Sequence, residues 1–208
     1  MQTIAAISTP VGAGAIGIVR ISGDDALKVA AKIFRTSKLK DLKDAVPNMM
    51  YYGTVTAGEV SDRCLGVYCK APKTYTGEDI FELHCHGGVR LVNEILKGCI
   101  EAGARAADKG EFTKRAFLKG KLALSDAEAV ISMINAESEA QLKASYRSMT
   151  GKLSEEIYAF EEKLLDAIAT MEAALDYPEE MEEESRRVAK DTVNALCKEL
   201  EKLIATAK

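Results

Sequence analysis

The sequence of 208 residues predicts an α+β N-terminal domain followed by a mainly α-helical domain that forms an incomplete bundle. Segments rich in β-branched residues alternate with amphipathic segments up to residue 121, and only helical periodicity follows. The charge balance changes at the same place, from 18 Lys and Arg against 13 Asp and Glu in residues 1–121 to 10 against 19 in residues 122–208. We therefore expect two domains, residues 1–121 and 122–208. The basic first domain is the better partner for an anionic ligand, although a solvated acidic helix surface explains the second half equally well.

The elements of the first domain follow from composition. Two amphipathic segments predict helices, Ala26 to Phe34 and the VRLVNEILKGCIEAG stretch that ends at Gly103. Five segments bounded by Gly or Pro predict strands: TIAAIS (3–8), IGIVRIS (16–22), MMYYGTVTAG (49–58), CLGVYCKA (64–71) and DIFELHCH (79–86).

The second domain shows only helical patterns. Ser125 and Glu128 have the spacing of a capping box, Gly151 predicts a bend or break, and Pro178 ends a helix at the residues before it. Apolar residues then recur in steps of three and four, which places them on one helix face. We call them the helical seam: Leu142, Tyr146, Met149, Leu153, Ile157, Phe160, Leu164, Ile168, Met171 and Leu175.

A last amphipathic helix carries Val193, Leu196, Leu200 and Leu203 and runs to Lys208 without a cap. Two long helices with one apolar face each do not complete a four-helix core. The seam is therefore either the core of a larger bundle or an intermolecular coiled coil, and we expect the chain to continue in a longer protein.

Composition predicts a cytoplasmic protein without a membrane segment. The sequence has no run of about 18 apolar residues and no basic, apolar secretory signal at its start. Its five cysteines include no C-x-x-C pair and are odd in number, which favours reduced thiols.

Residues 9–23, TPVGAGAIGIVRISG, contain a G-x-G-x-x-G array at Gly12, Gly14 and Gly17. A dinucleotide site needs a helix directly after such glycines, but IVRIS has the composition of a strand. We therefore expect a loop between paired strands, with glycines that allow positive φ or close backbone approach. Arg20 stands on this otherwise apolar strand, either as a functional cation or as an arginine at a sheet edge with its head group in water.

Three segments together resemble a known family: STPVGAGAIGIVRISG (8–23), TYTGEDIFELHCHGG (74–88) and KGEFTKRAFLKGKLALSDAEAV (109–130). In this order and spacing they are similar to the N-terminal region of the tRNA modification GTPase family called MnmE or TrmE. The sequence departs from the family pattern at Ala13, Lys109 and Ala123, where arginine, proline and aspartate are common.

The resemblance implies a fold and a domain order. It implies a folate-binding domain with the tetrahydrofolate-binding fold of aminomethyltransferases, and a helical domain interrupted after residue 208 by a Ras-like GTPase domain. GTP, Mg²⁺ and K⁺ are expected in that inserted domain alone. This chain contains no G-x-x-x-x-G-K-[ST] motif, so we do not expect it to hydrolyse GTP and assign it no catalytic residue.

The resemblance also implies an activity and partners. With an FAD-containing protein of the MnmG type, the family installs an aminomethyl-type group at C5 of the tRNA wobble uridine. The one-carbon unit comes from 5-formyl- or methylene-tetrahydrofolate, and members are homodimers through the N-terminal domain. The alternative is a stand-alone folate-binding or dimerisation module without a tRNA role.

The residues matched to the family's folate site are Arg20, Glu82 and Lys121. A carboxylate such as that of Glu82 accepts the adjacent N–H and amino groups of a pterin edge in bidentate fashion. Arg20 and Lys121 suit the polar groups or the glutamate tail of the folate. The competing interpretation of Glu82 is a surface ion pair.

His84 and His86 share one face of their strand, where they form a possible secondary pocket for the folate or a hydrogen-bonded structural pair. No third ligand stands at metal-binding spacing, so we predict no metal. A basic cluster predicts contacts to tRNA phosphates or to the folate tail, or else an ordinary helix surface: Arg105, Lys109, Lys114, Arg115, Lys119 and Lys121.

Overall fold

The computed structural model describes residues 1–149, 152–176 and 178–206. The chain divides into two compact units, Met1–Ala127 and Glu128–Lys208. The division falls inside a helix, six residues beyond the sequence-based boundary at residue 121, which stays a prediction.

The first unit is built on a seven-stranded sheet with the order β3-β4-β5-β6-β2-β1-β7. Its strands are β1 (Ile4–Ile7), β2 (Gly14–Ser22), β3 (Phe34–Arg35), β4 (Met50–Ala57), β5 (Val60–Cys69), β6 (Ile80–Gly87) and β7 (Arg105–Ala106). All neighbours are antiparallel except β1 and β7. The five predicted strands are confirmed, and the two that the sequence did not predict have only two residues each.

One face of the sheet carries the core of the first unit. Helices α1 (Ala26–Ile33) and α2 (Val89–Glu101) pack on it, whereas α3 (Glu111–Leu118) follows β7. Side chains alternate between the faces of a strand, so Val19, Ile21, Phe81 and Leu83 are fully buried there. The residues between them on β2 and β6 lie on the opposite face. An α+β first domain is thus confirmed, while the tetrahydrofolate-binding fold stays a prediction.

The next helix, α4 (Leu124–Ile134), begins one residue before the predicted cap Ser125. The carbonyl of Ala123 accepts the first helical bond, from Ala127 N–H at 3.1 Å. The carboxylate of Asp126 reaches back and accepts the Ala123 N–H at 3.0 Å. The N-terminus of the helix is therefore closed by Asp126, with an alanine at the capping position.

The second unit contains α5 (Glu139–Met149), α6 (Lys152–Asp176) and α7 (Pro178–Thr206). Helices α6 and α7 run antiparallel, joined by an ion pair of 3.0 Å between Lys163 and Glu199. Among the residues whose burial is described, the buried positions of the unit carry one large apolar side chain, Leu196, and otherwise small ones: Ala129, Ser145, Ala167, Ala174 and Ala189. The predicted helix end before Pro178 is confirmed by the end of α6 at Asp176, whereas Gly151 and Tyr177 lie outside the described residues.

Among the seam residues whose burial the structure describes, Phe160 is partly buried and the others are exposed, from Met149 at 37% to Leu175 at 80%. The side chain of Leu153 lies outside the described part of the chain. A helical second domain is thus confirmed, while the incompleteness of its bundle and both interpretations of the seam stay predictions. No helix in the described ranges is long and apolar enough to cross a membrane.

Candidate functional site

Arg20 and Glu82 meet on the face of the sheet opposite α1 and α2. They are register partners on the neighbouring strands β2 and β6, and Arg20 Nε donates to Glu82 Oε1 at 2.7 Å. Their side chains are 28% and 18% exposed, so the pair is screened from water without being enclosed. Strand β2 lies between β6 and β1, and the interpretation of Arg20 as a sheet-edge arginine is therefore wrong.

The second oxygen of Glu82 is also engaged. His84 Nε2 lies 3.0 Å from Glu82 Oε2, and the carboxylate only accepts, so the imidazole nitrogen carries the hydrogen. Burial by itself raises the pKa of Glu82, but the hydrogen bond from His84 and the charge and hydrogen bond of Arg20 outweigh it. The pKa of Glu82 is therefore held below its ordinary value, and the carboxylate is ionised near neutral pH. Glu82 thus forms an ion pair, as the competing interpretation expects, but with a side chain only 18% exposed the pair does not lie openly on the surface.

Two aromatic rings that the sequence analysis did not single out flank Arg20. The guanidinium carbon lies 5.9 Å from the centre of the Tyr75 ring and 5.7 Å from that of Phe112, within the range of cation–π attraction. The Tyr75 hydroxyl and Thr113 Oγ1 are 2.9 Å apart, which links the loop before β6 to α3. Both rings stand in segments that carry the family resemblance, and that was the available signal.

A buried ion pair also joins the loop before β6 to α3. Arg115 Nη1 donates to Glu78 Oε2 at 2.9 Å, and Ser22 Oγ donates to the same oxygen at 3.0 Å. Arg115 also donates to the Gln2 carbonyl and to Glu111 Oε1. With its side chain 4% exposed, Arg115 belongs to the interior. Both interpretations of the basic cluster, as a nucleic-acid or folate-tail contact and as surface, are therefore wrong for this residue.

The other members of the basic cluster lie nearer the surface. Arg105 donates to Glu111 Oε1, which ties it to the same network. The remaining residues are exposed: Lys109, Lys114, Lys119 and Lys121. Lys121 extends along the loop before β6, since a Cβ built at Gly77 would lie 3.5 Å from Lys121 Cγ. Of the three predicted folate residues, Arg20 and Glu82 are hydrogen-bonded to each other, and within the described ranges no side-chain hydrogen bond joins Lys121 to either of them.

His84 and His86 bind different carboxylates. His86 is 73% exposed, and Asp62 accepts both its Nδ1–H, at 2.7 Å, and its backbone N–H, at 2.9 Å. His84 is bound to Glu82 instead. The two rings are thus hydrogen-bonded separately, and the described residues contain no group of three or more His, Cys, Asp or Glu that could hold a metal ion.

The glycine array shapes the packing of β2. A Cβ at Gly17 would lie 2.3 Å from Val92 Cγ1 of α2, whereas one at Gly14 would lie no closer than 3.8 Å to any other atom. A cavity of about 510 Å³ lies between the loop at residues 9–14 and the first turns of α2. Because the array leads into β2 and not into a helix, the dinucleotide interpretation is excluded.

Three cysteine thiols of the first unit, those of Cys69, Cys85 and Cys99, have raised pKa values. Burial raises the pKa of Cys99 to about 12, and a hydrogen bond with Cys64, followed by burial, raises that of Cys85. Cys69 adjoins the candidate site, where burial and then the charge of Glu82 raise its pKa while Arg20 opposes them. None of these thiols is an activated nucleophile near neutral pH.

The chain is similar to a class of known proteins, the tRNA modification GTPases. Over 211 residues it is 42% identical to a tRNA modification GTPase MnmE of Geobacillus thermodenitrificans, covering 99% of this chain and 46% of that protein. It is 40% identical over 212 residues to that of Bacillus subtilis, covering 100% of this chain and 46% of the relative. The chain spans about half the length of the curated relatives that it matches.

Two family models match consecutive parts of the sequence. Residues 3–121 match the model described as the GTP-binding protein TrmE N-terminus, and residues 124–208 match the MnmE helical domain. The chain belongs to the TrmE/MnmE family.

Proposed function

We propose that the first unit binds a reduced folate at Arg20 and Glu82. The observation that carries this proposal is the partly buried ion pair of 2.7 Å, set on a sheet face and flanked by Tyr75 and Phe112. An ionised carboxylate beside a guanidinium offers acceptors and donors side by side. The polar edge of a pterin requires both, because it carries N–H and amino donors next to a carbonyl acceptor.

The folate tail would extend toward Lys121. That lysine lies along the loop before β6, and Lys119 lies close to it: a Cβ at Gly77 would be 3.4 Å from Lys119 Cβ. Both side chains are exposed, so their ammonium groups are accessible to the glutamate carboxylates of a folate or to tRNA phosphates. The imidazole of His84 adjoins the pterin end through Glu82.

For the whole protein we propose the activity that the names of the relatives give, tRNA modification coupled to GTP hydrolysis. In this proposal GTP, Mg²⁺ and K⁺ bind outside the present chain. The folate, as 5-formyl- or methylene-tetrahydrofolate, supplies a one-carbon unit for C5 of the wobble uridine, and the reaction takes place in the cytoplasm with an FAD protein of the MnmG type.

Isothermal titration of the chain with 5-formyltetrahydrofolate tests the folate site. We expect Glu82→Gln and Arg20→Ala each to weaken binding by about ten- to a hundredfold, since hydrogen bonds to charged groups contribute about 1.5–3 kcal/mol. The control is Lys28→Ala, which removes an exposed ion pair with Asp25 and should leave the affinity unchanged. Unchanged affinity in both site variants would reject the assignment.

We also propose that the first unit mediates homodimerisation, alone or as part of the larger enzyme. The register pairs Ile16 with His86 and Tyr52 with Leu65, itself paired with His84, which places these side chains on the face that carries Glu82. Ile16 is 62% and Tyr52 58% exposed, which suits a face that a second copy covers. Light scattering at micromolar concentration should give a dimer, and Tyr52→Glu should give a monomer; a monomeric wild-type chain would contradict this proposal.

A further inference from the structure

We propose that Tyr75 and Phe112 are positioning residues that hold the guanidinium of Arg20 in place, so that its two terminal nitrogens present a fixed pair of donors to the ligand. This inference rests on the proposed folate site, because it names the part of the ligand that Arg20 would bind. The sequence pattern did not point to either ring. Both rings lie beside Arg20, and their contacts to it are separate from its ion pair with Glu82.

The hydrogen bonds of Arg20 are unevenly used. Its Nε donates to Glu82 Oε1, whereas among the residues that the structure describes Nη1 and Nη2 donate to no protein acceptor. A guanidinium has five N–H groups in a rigid fork. Glu82 therefore fixes the Nε–H of Arg20, while the N–H groups of Nη1 and Nη2 are available to a ligand.

The two rings restrict where this edge can point. With ring centres 5.9 and 5.7 Å from the guanidinium carbon, Tyr75 and Phe112 favour one position of a side chain that is otherwise flexible. Arginine has a large rotamer entropy, so a guanidinium that is held before binding loses less of it when the ligand arrives.

The rings are themselves anchored. The Tyr75 hydroxyl is bound to Thr113, and Phe112 lies between Glu111 and Thr113 on α3. Glu111 accepts hydrogen bonds from Arg105, Arg115 and the Asp108 N–H. The neighbour of Tyr75, Thr76, is fully buried and lies 2.8 Å from Ser22 Oγ. The positions of both rings are therefore set by the fold and do not depend on the ligand.

The donors and acceptors define the chemistry of the ligand edge. Arg20 contributes donors, and the oxygens of Glu82, each with a second lone pair, contribute acceptors directly beside them. A flat ring with a carbonyl next to N–H and amino groups complements this order. Both a pterin and a guanine have such an edge, so the hydrogen-bonding groups of the site complement both classes of compound.

Titration with 5-formyltetrahydrofolate tests the positioning role, with guanosine as a second ligand to distinguish the two sources. We expect Phe112→Leu and Tyr75→Leu each to weaken folate binding about tenfold, and Tyr75→Phe, which keeps the ring, to retain most of it. Phe117→Leu, at a ring on the same helix that is 40% exposed, is the matched control and should bind normally. A guanosine affinity equal to that of the folate would overturn the pterin as the preferred source of the edge.

A double-mutant cycle separates positioning from general damage. If the rings act through the guanidinium, Phe112→Leu should cause no further loss in an Arg20→Ala background. The same tenfold loss in both backgrounds would overturn the positioning role.

Nuclear magnetic resonance gives a measure that does not depend on folate. The Nε–H signal of Arg20 should be shifted by the two rings and should move in Phe112→Leu and in Tyr75→Leu but not in Phe117→Leu. An unmoved signal overturns the positioning role whatever the titration shows, whereas absent binding by the wild-type chain, with the signal behaving as expected, overturns only the folate site.

Discussion

Arg115 and Glu78 form an ion pair of 2.9 Å inside the first unit, with side chains 4% and 3% exposed. Taking two charges out of water is costly, and the cost is offset only when the remaining donors and acceptors are satisfied. Here they are, because Arg115 also donates to the Gln2 carbonyl and Glu111, and Ser22 donates to Glu78. The pair thus joins the N-terminus, the loop before β6 and α3.

Removing one partner of this pair should be strongly destabilising. We expect Arg115→Met to lower the free energy of unfolding by about 3–5 kcal/mol, because it leaves the buried charge of Glu78 uncompensated. Urea denaturation measures the change. As a control, Lys97→Met removes an exposed pair with Glu101 and should cost no more than about 0.5 kcal/mol. Equal losses in the two variants would show that burial does not govern the contribution of Arg115.

Glu111 should make stability depend on acidic pH. Burial raises its pKa, but hydrogen bonds from Arg105, the Asp108 N–H and Arg115 outweigh burial and lower the pKa from 4.5 to about 2. A group with a lowered folded-state pKa stabilises the protein above its unfolded-state value, and that contribution is lost as the pH falls toward the folded-state value.

The stability of the wild-type chain should therefore decrease between about pH 4.5 and pH 2 in part through Glu111. Glu111→Gln should be less stable near neutral pH and should lose less over that window, as measured by denaturation midpoints at several pH values. Parallel pH profiles for the two proteins would contradict the assignment.

Much of the first unit could be predicted because its strands alternate and end at Gly or Pro. That signal gave β1, β2, β4, β5 and β6, and the apolar periodicity gave α1 and α2. The two-residue strands β3 and β7 could not be predicted because they are too short to show an alternating pattern. They exist through pairing with β4 and β1, which is a property of the folded chain.

The site was only partly predictable, for a similar reason. Arg20 and Glu82 came from the family resemblance, and their contact follows from a register that the sequence does not specify. The burial of Arg115 could not be predicted because a segment rich in lysine and arginine has the composition of a solvated surface. Its partner Glu78 is 37 residues away, and no local pattern links the two.

Gly17 should tolerate a methyl group much less well than Gly14. Gly17→Ala would place its Cβ 2.3 Å from Val92 Cγ1, and Val92 is a stiff, buried side chain on α2. We expect this overpacking to cost about 1–3 kcal/mol. Gly14→Ala meets no atom closer than 3.8 Å and should change stability by about 0.5 kcal/mol or less. Thermal or urea denaturation of both variants measures the difference. A greater loss of stability in Gly14→Ala than in Gly17→Ala would contradict the prediction.

A better cap for α4 should stabilise the chain. Ala123 occupies the capping position, since its carbonyl accepts the first helical bond and its N–H is bound by Asp126. An alanine there has no side-chain oxygen that could accept a hydrogen bond from an N–H group of the first turn. We expect Ala123→Ser to raise the free energy of unfolding by about 0.5–2 kcal/mol. Ala140→Ser, at an exposed position inside α5, is the matched control and should destabilise slightly because serine is a weaker helix former. A loss of stability in both variants would show that residue 123 does not act as the cap.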